Sequence, residues 1–253
     1  MRSTPASEST PARSRERRAG FGALLERRTL LAIIGLALAV WALAAIFDEV
    51  REGGTLDFDH RVLLAFRVPG HPEQTLGPPW VETSVRDVTA LGSNLIISFI
   101  ALSVAGYLAL AGKRGAAAYV LVAIIGAMLL GNLVKHLADR PRPELVPHAV
   151  EVFTTSFPSG HATDSAAAYL TLGALLARLQ PARRLKAYAL SLAVLVTLAV
   201  GLSRLYLGVH WPTDVLAGWT LGGGWALLCW TVVRVLQHRG HVEAPPPEAD
   251  PQA

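Results

Sequence analysis

The sequence predicts an all-α fold, a six-transmembrane-helix bundle with a long extracytoplasmic segment between the first two spans, and three observations predict it. Apolar residues make up 52% of the 253-residue chain and charged residues only 17%, with a mean hydropathy of +0.39. That excess is too large for an ordinary water-soluble domain. Six stretches approach the roughly 20 apolar residues that a helix needs to cross a bilayer: 29–47, 91–111, 115–134, 162–179, 187–203 and 213–233. Finally, 15 of the 23 lysines and arginines fall on the side of the membrane that six spans would assign to both tails. Because cytoplasmic loops carry the basic excess, both termini are expected in the cytoplasm, with Lys135, Arg142 and Arg204 outside.

The first run contains Ala42-Leu43-Ala44, which resembles a signal-peptidase site, but its charged leader is 28 residues long and its apolar stretch can span. It reads as a retained multi-pass anchor. Residues 48–90 form the long outer segment, where Leu56, Leu63 and Phe66 are expected to share one helical face and Val81, Val85 and Val88 another, as short helices lying on the membrane. The fourth stretch is the weakest by hydropathy because it carries Thr163, Asp164, Ser165 and Thr171, which implies a face turned toward protein or a polar cavity. Residues 1–25 and the Pro-rich 239–253 are expected as cytoplasmic tails around one domain, 26–238. The net charge of +4 sits beside apolar runs without a basic stripe carrying aromatics, so membrane lipids and not nucleic acid are the expected partners. The lone Cys229 permits no internal disulfide. Oligomeric state is not legible in the sequence.

Three polar clusters stand at the outer ends of the third to sixth spans. Lys135-His-Leu-Ala-Asp-Arg-Pro-Arg142-Pro143 follows the third, Pro158-Ser159-Gly160-His161 precedes the fourth, and Ser203-Arg204 to His210-Trp-Pro212-Thr-Asp214 joins the fifth to the sixth. Phosphoryl transfer asks for cations on the equatorial oxygens, an in-line nucleophile and an acid for the leaving group. Lys135, Arg142 and Arg204 supply charge, the two arginines through planar forks, and Ser159 with the Gly160 backbone at a helix start supplies further phosphate-binding donors. His210 has Asp214 at hand to set its tautomer and is assigned as nucleophile, with His161 as general acid and then base. This scheme needs His210 neutral and His161 protonated together, so a bell-shaped pH dependence of kcat/KM is expected.

Lys135-x6-Arg142-Pro143, Pro158-Ser-Gly-His161 and Ser203-Arg204-x5-His210-x3-Asp214, in that order, resemble the three-part signature of the type 2 phosphatidic acid phosphatase (PAP2) superfamily. The resemblance runs from about residue 85 to 233. It implies a six-span helical fold, hydrolysis without metal or cofactor, and the residue roles just given, on a lipid phosphate or diphosphate at the extracytoplasmic face through a phosphohistidine.

Taken singly, each signal has a plainer reading. A cation at a span end is usually an interfacial anchor, Pro-Ser-Gly is usually a helix-start turn, and His210 with Asp214 can be a structural pair. Trp80, Trp211 and Tyr206 read by default as interface anchors, Asp164 as a residue outside the site, and Arg140 as either an anion contact or a surface charge. A zinc site from His161, His210 and Asp214 is disfavoured by the three cations. Two other functions remain: a head-group transferase passing the same phosphohistidine to an alcohol, and a non-enzymatic membrane anion carrier. Among substrates, phosphatidate, phosphatidylglycerol phosphate, lipid A and undecaprenyl diphosphate are not ranked beyond a slight preference for the last.

Overall fold

A computed structural model describes residues 10–150 and 154–238, and the tail expectations for 1–9 and 239–253 lie outside them. The described residues form eight helices and one two-stranded hairpin. Helix α1 (Thr10–Glu52) contains the first apolar run but begins well before it, so the leader expected as a tail to residue 25 is helical from Thr10. Its Ala, Arg and Glu content favours that continuation. Large apolar side chains of α1 such as Leu31, Leu38 and Trp41 face outward, as a lipid-exposed surface requires.

Among the described residues, four helices are long and apolar enough to cross a membrane: the Thr29–Glu52 part of α1, α5 (Arg114–Ala138), α7 (Arg183–Tyr206) and α8 (Pro212–His238). A fifth candidate is α3 (Pro79–Ala90) together with α4 (Asn94–Leu110), bent by 44° at the break between them. Ser93 causes part of that break, leaving the helical path at ψ 146° while its hydroxyl accepts the Ile96 N–H and caps α4. The chain is therefore an integral membrane protein built from helices.

The polar fourth stretch becomes α6 (Gly160–Leu179), which packs against α5, α7 and α8. Protein covers its polar face, so it can carry Thr163, Asp164, Ser165 and Thr171 fully or nearly buried. The hydroxyls of Thr163 and Ser165 bond to carbonyls one turn back, at Ser159 and Ala162, a local solution that a helix offers hydroxyl side chains. Because lipid is as apolar as leucine, such bundles are held by close packing of small residues. Here Gly218 and Gly222 of α8 lie on the backbone of α6: a Cβ at Gly222 would come within 2.1 Å of the Thr163 carbonyl oxygen, and one at Gly218 within 2.7 Å of that of Ser159. Trp219 fills the notch at Gly201, and Trp225 the notch at Gly126. A second apolar core joins Ile97 and Ala101 of α4 to Val120, Ala123 and Ile124 of α5.

The segment between α1 and α4 is more ordered than alternating apolar faces suggested. It forms α2 (Leu56–Leu64), strands β1 (Arg67–Val68) and β2 (His71–Thr75) in an antiparallel hairpin, and α3. Leu63 is fully buried against Val146 and Trp211, whereas Leu56 is exposed and Phe66 lies beyond the helix with its ring edge on Tyr206. The expected common face of Leu56, Leu63 and Phe66 is thus not formed. Val81 and Val85 pack on the Tyr206–Val209 turn, so α3 covers the end of α7. Tyr206 and Trp211 are not interface anchors. Tyr206 is buried and donates to the Leu76 carbonyl at 2.7 Å, and Trp211 is buried and donates to the Pro141 carbonyl at 3.0 Å. Trp80 remains exposed.

Candidate active site

Pro212 starts α8, and Asp214, in its first turn, folds back so that Oδ2 accepts the Trp211 N–H at 2.8 Å. This is the reciprocal half of a helix capping box. The same oxygen lies 3.5 Å from His210 Nδ1 and accepts a short hydrogen bond from the Ser156 hydroxyl. Asp214 Oδ1 accepts from Arg140 at 2.7 Å. His210 sits in the tight turn between α7 and α8, where Gly208 takes a φ of +74°, and is almost fully buried.

On the far side of the ring, Arg142 Nη1 stands 3.2 Å from His210 Nε2. A guanidinium only donates, so Nε2 is the acceptor and the proton resides on Nδ1, facing Asp214 and Ser156. Burial first, then the charges of Arg142, Arg204 and Lys135, hold the His210 imidazole well below its ordinary pKa. Its Nε2 is therefore unprotonated at neutral pH, with its lone pair accepting from Arg142.

Backbone carbonyls position the cations. Arg142 donates to Thr154 O at 2.7 Å and to Val209 O at 2.6 Å, and Lys135 Nζ donates to Thr155 O at 2.8 Å. Arg204 is buried on α7 and held by the Thr89 hydroxyl of α3 at 3.0 Å. Its Nε, like the buried Ser159 hydroxyl, has no hydrogen-bond partner among the described residues. Two donors are thus desolvated without compensation, which costs about 1–3 kcal/mol each and is expected where an anion binds. Ser159 donates its N–H to the Asp214 carbonyl at 3.0 Å, tying the start of α6 to that of α8.

Gly160 opens α6, with its Cβ direction 3.8 Å from Lys135 Cε. His161 is half-buried, and its ring packs on Gly92 at the α3–α4 break, where an added Cβ would lie 3.3 Å from Cδ2. The permanent cations near His161 are Arg204, Arg142 and Lys135. Lys135, Arg142, Ser159, Gly160, His161, Arg204, His210 and Asp214 therefore lie around one small volume. Among the described residues, no group of three His, Cys, Asp or Glu side chains is arranged to hold a metal ion.

Several partners of these residues were not legible in the sequence. Arg140 is neither a surface charge nor a free anion contact: it is buried, bridges Asp214 and Asp59, and stacks on Trp211 with its guanidinium carbon 5.5 Å from the ring centre. Ser156, Thr154 and Thr155 form a polar run just before Pro158, and that run was the one available signal. Thr89 and Asp59 come from the segment between α1 and α4 and left no signal at all. Asp164 is buried on α6 within the field of Lys135.

Residues 116–237 match the PAP2 superfamily. The chain is 30% identical over 145 residues to phosphatidylglycerophosphatase B of Bacillus subtilis, covering 57% of this chain and 71% of that protein. It is 35% identical over 153 residues to decaprenylphosphoryl-5-phosphoribose phosphatase of Mycobacterium tuberculosis, covering 57% and 76%. Its fold matches the crystal structure of a transmembrane PAP2 type phosphatidylglycerolphosphate phosphatase from Bacillus subtilis with a TM-score of 0.66 at 23% identity, over 81% of this chain and 96% of that one. The chain therefore belongs to the PAP2 superfamily, among its membrane lipid phosphatases.

Proposed function

We propose that this protein hydrolyses a lipid phosphate or diphosphate at the extracytoplasmic face through a phosphohistidine on His210. The observation that carries the reading is the Arg142 guanidinium on His210 Nε2, which marks Nε2 as the unprotonated nitrogen on the side of the cations while Nδ1 faces a carboxylate. When substrate enters, Arg142, Arg204 and Lys135 take the equatorial oxygens, with Ser159 and the α6 N-terminus adding donors. His210 Nε2 then attacks phosphorus as the bond to the lipid oxygen breaks, and His161 gives that oxygen its proton. Asp214 stabilises the positive imidazole. Water, deprotonated by His161, next attacks phosphorus, the P–N bond breaks, and inorganic phosphate leaves with both histidines restored.

In this reading the bundle has six spans, α6 being the polar one, both termini are cytoplasmic, and residues 48–90 lie outside with the site. The basic excess of the tail side supports that orientation. The relatives' names include both a glycerolipid phosphate and a polyprenyl phosphate, so both chemistries belong in the test. Purified protein is assayed for phosphate release from phosphatidate, phosphatidylglycerol phosphate, lipid A and undecaprenyl diphosphate, with His210→Ala as the blank. Release by the wild type and none by the folded variant is expected. No release from any of the four would move the weight to an anion carrier, and phosphate appearing on an added alcohol would make it a transferase.

A further inference from the structure

Behind Asp214 the polar network reaches a residue of α2 that lies outside the region matched to the family. Asp59 is fully buried, and its Oδ1 accepts the Thr213 N–H at 3.0 Å while the Thr213 hydroxyl lies 2.8 Å from Oδ2. Arg140 donates through Nη2 to Asp59 Oδ2 and through Nη1 to Asp214 Oδ1, both at 2.7 Å. Arg140 also meets the hydroxyls of Thr55 and Thr213, at 3.4 and 2.8 Å, and lies over the Trp211 ring. One guanidinium thus serves two buried carboxylates, so its charge is divided.

We propose that Asp59 is a positioning residue for His210, acting through Arg140 and Asp214, so that α2 is a working part of the catalytic apparatus. The proposal rests on the phosphatase reading for its kinetic consequence. By holding half of Arg140, Asp59 keeps Asp214 from being neutralised by a full ion pair. It leaves negative charge on Asp214 Oδ2 to orient the Nδ1 proton and to offset the cation that forms on His210 during attack. It also ties Thr213, in the first turn of α8, so the carboxylate next to it cannot swing.

The test is a double-mutant cycle in the full-length protein. Asp59→Asn keeps the shape and removes the charge, and it is expected to lower kcat by about tenfold or more, the scale of coupling within one contact network, while KM stays within about twofold. In an Asp214→Asn background the same change is expected to have no further effect, because residues that act as a unit are not additive. Unchanged kcat, or equal losses in both backgrounds, overturns the proposal. Should Asp59→Asn fail to fold, Arg140→Lys, which keeps the charge but breaks the fork, carries the same cycle with the same expectations. A second readout does not depend on turnover: 15N-histidine spectra, with His210→Ala for assignment, report the His210 tautomer. Wild type is expected to carry the proton on Nδ1, and Asp59→Asn is expected to shift both ring nitrogens. If the wild type releases no phosphate, the phosphatase reading falls alone, and unmoved His210 signals in Asp59→Asn still overturn the positioning role.

Discussion

Adding one methyl group at Gly222 tests whether the α6–α8 packing sets the geometry of the site. The Cβ of Gly222→Ala would stand 2.1 Å from the Thr163 carbonyl oxygen and 2.9 Å from Ala166 Cβ, whereas ordinary contact begins near 3.4 Å. Reaching ordinary contact with that oxygen requires a separation of about 1.3 Å, from 2.1 to 3.4 Å, and neither neighbour can yield because one is backbone and the other is a short side chain. Overpacking of this kind costs about 1–3 kcal/mol of stability. Its effect on turnover is the larger one, because α6 begins with Gly160 and His161 while the first turn of α8, from Pro212, carries Thr213 and Asp214 beside His210. A displacement of about 1 Å in a reacting constellation costs on the order of 100-fold. Phosphate release from lipid phosphate in mixed micelles, with thermal unfolding alongside, is the assay. Gly223→Ala is the control, since its Cβ meets only Leu170 Cδ1, at an ordinary 3.7 Å, and near-normal activity is expected. Equal activities for the two variants would refute the reasoning.

Burial and the neighbouring cations lower the His210 pKa, so the acidic limb of kcat/KM is expected below the ordinary histidine value of about 6.5, and Arg142→Gln, which removes one of those charges, should move it upward; a limb unchanged by that variant would contradict the assignment. The same shift makes the unfolded chain take up the proton first, so His210's contribution to stability is present above about pH 6.5 and declines below it, which acid titration of thermal unfolding checks. Thr89→Val frees the Arg204 fork, and a hydrogen bond to a charged group is worth about 1.5–3 kcal/mol, so vanadate inhibition should weaken by about tenfold, whereas unchanged inhibition would mean that packing alone holds Arg204. EDTA is expected to leave turnover intact, and loss of turnover with recovery on adding zinc would overturn the metal-independent scheme.

Sequence alone determined what depends on local chemistry and on the solvent. The apolar runs at 29–47, 115–134, 187–203 and 213–233 all lie in helices long and apolar enough to span, because lipid leaves the backbone few other choices. The polar residues of 162–179 pointed to a face turned toward protein or a polar cavity, and that face is buried in the bundle. Pro212 and Asp214 foretold a carboxylate turning back toward His210, since a capping box is written within four residues. Tertiary structure decided what depends on residues far apart in the chain. That Arg140 is shared between Asp59 and Asp214, that Thr89 anchors Arg204, and that Trp211 lies beneath a guanidinium and not at the interface each arise from α2 and α3 folding onto the ends of α7 and α8. No periodicity records such contacts, because a buried ion pair needs only one partner of opposite charge at the right point in space, and that point exists only once the helices have packed.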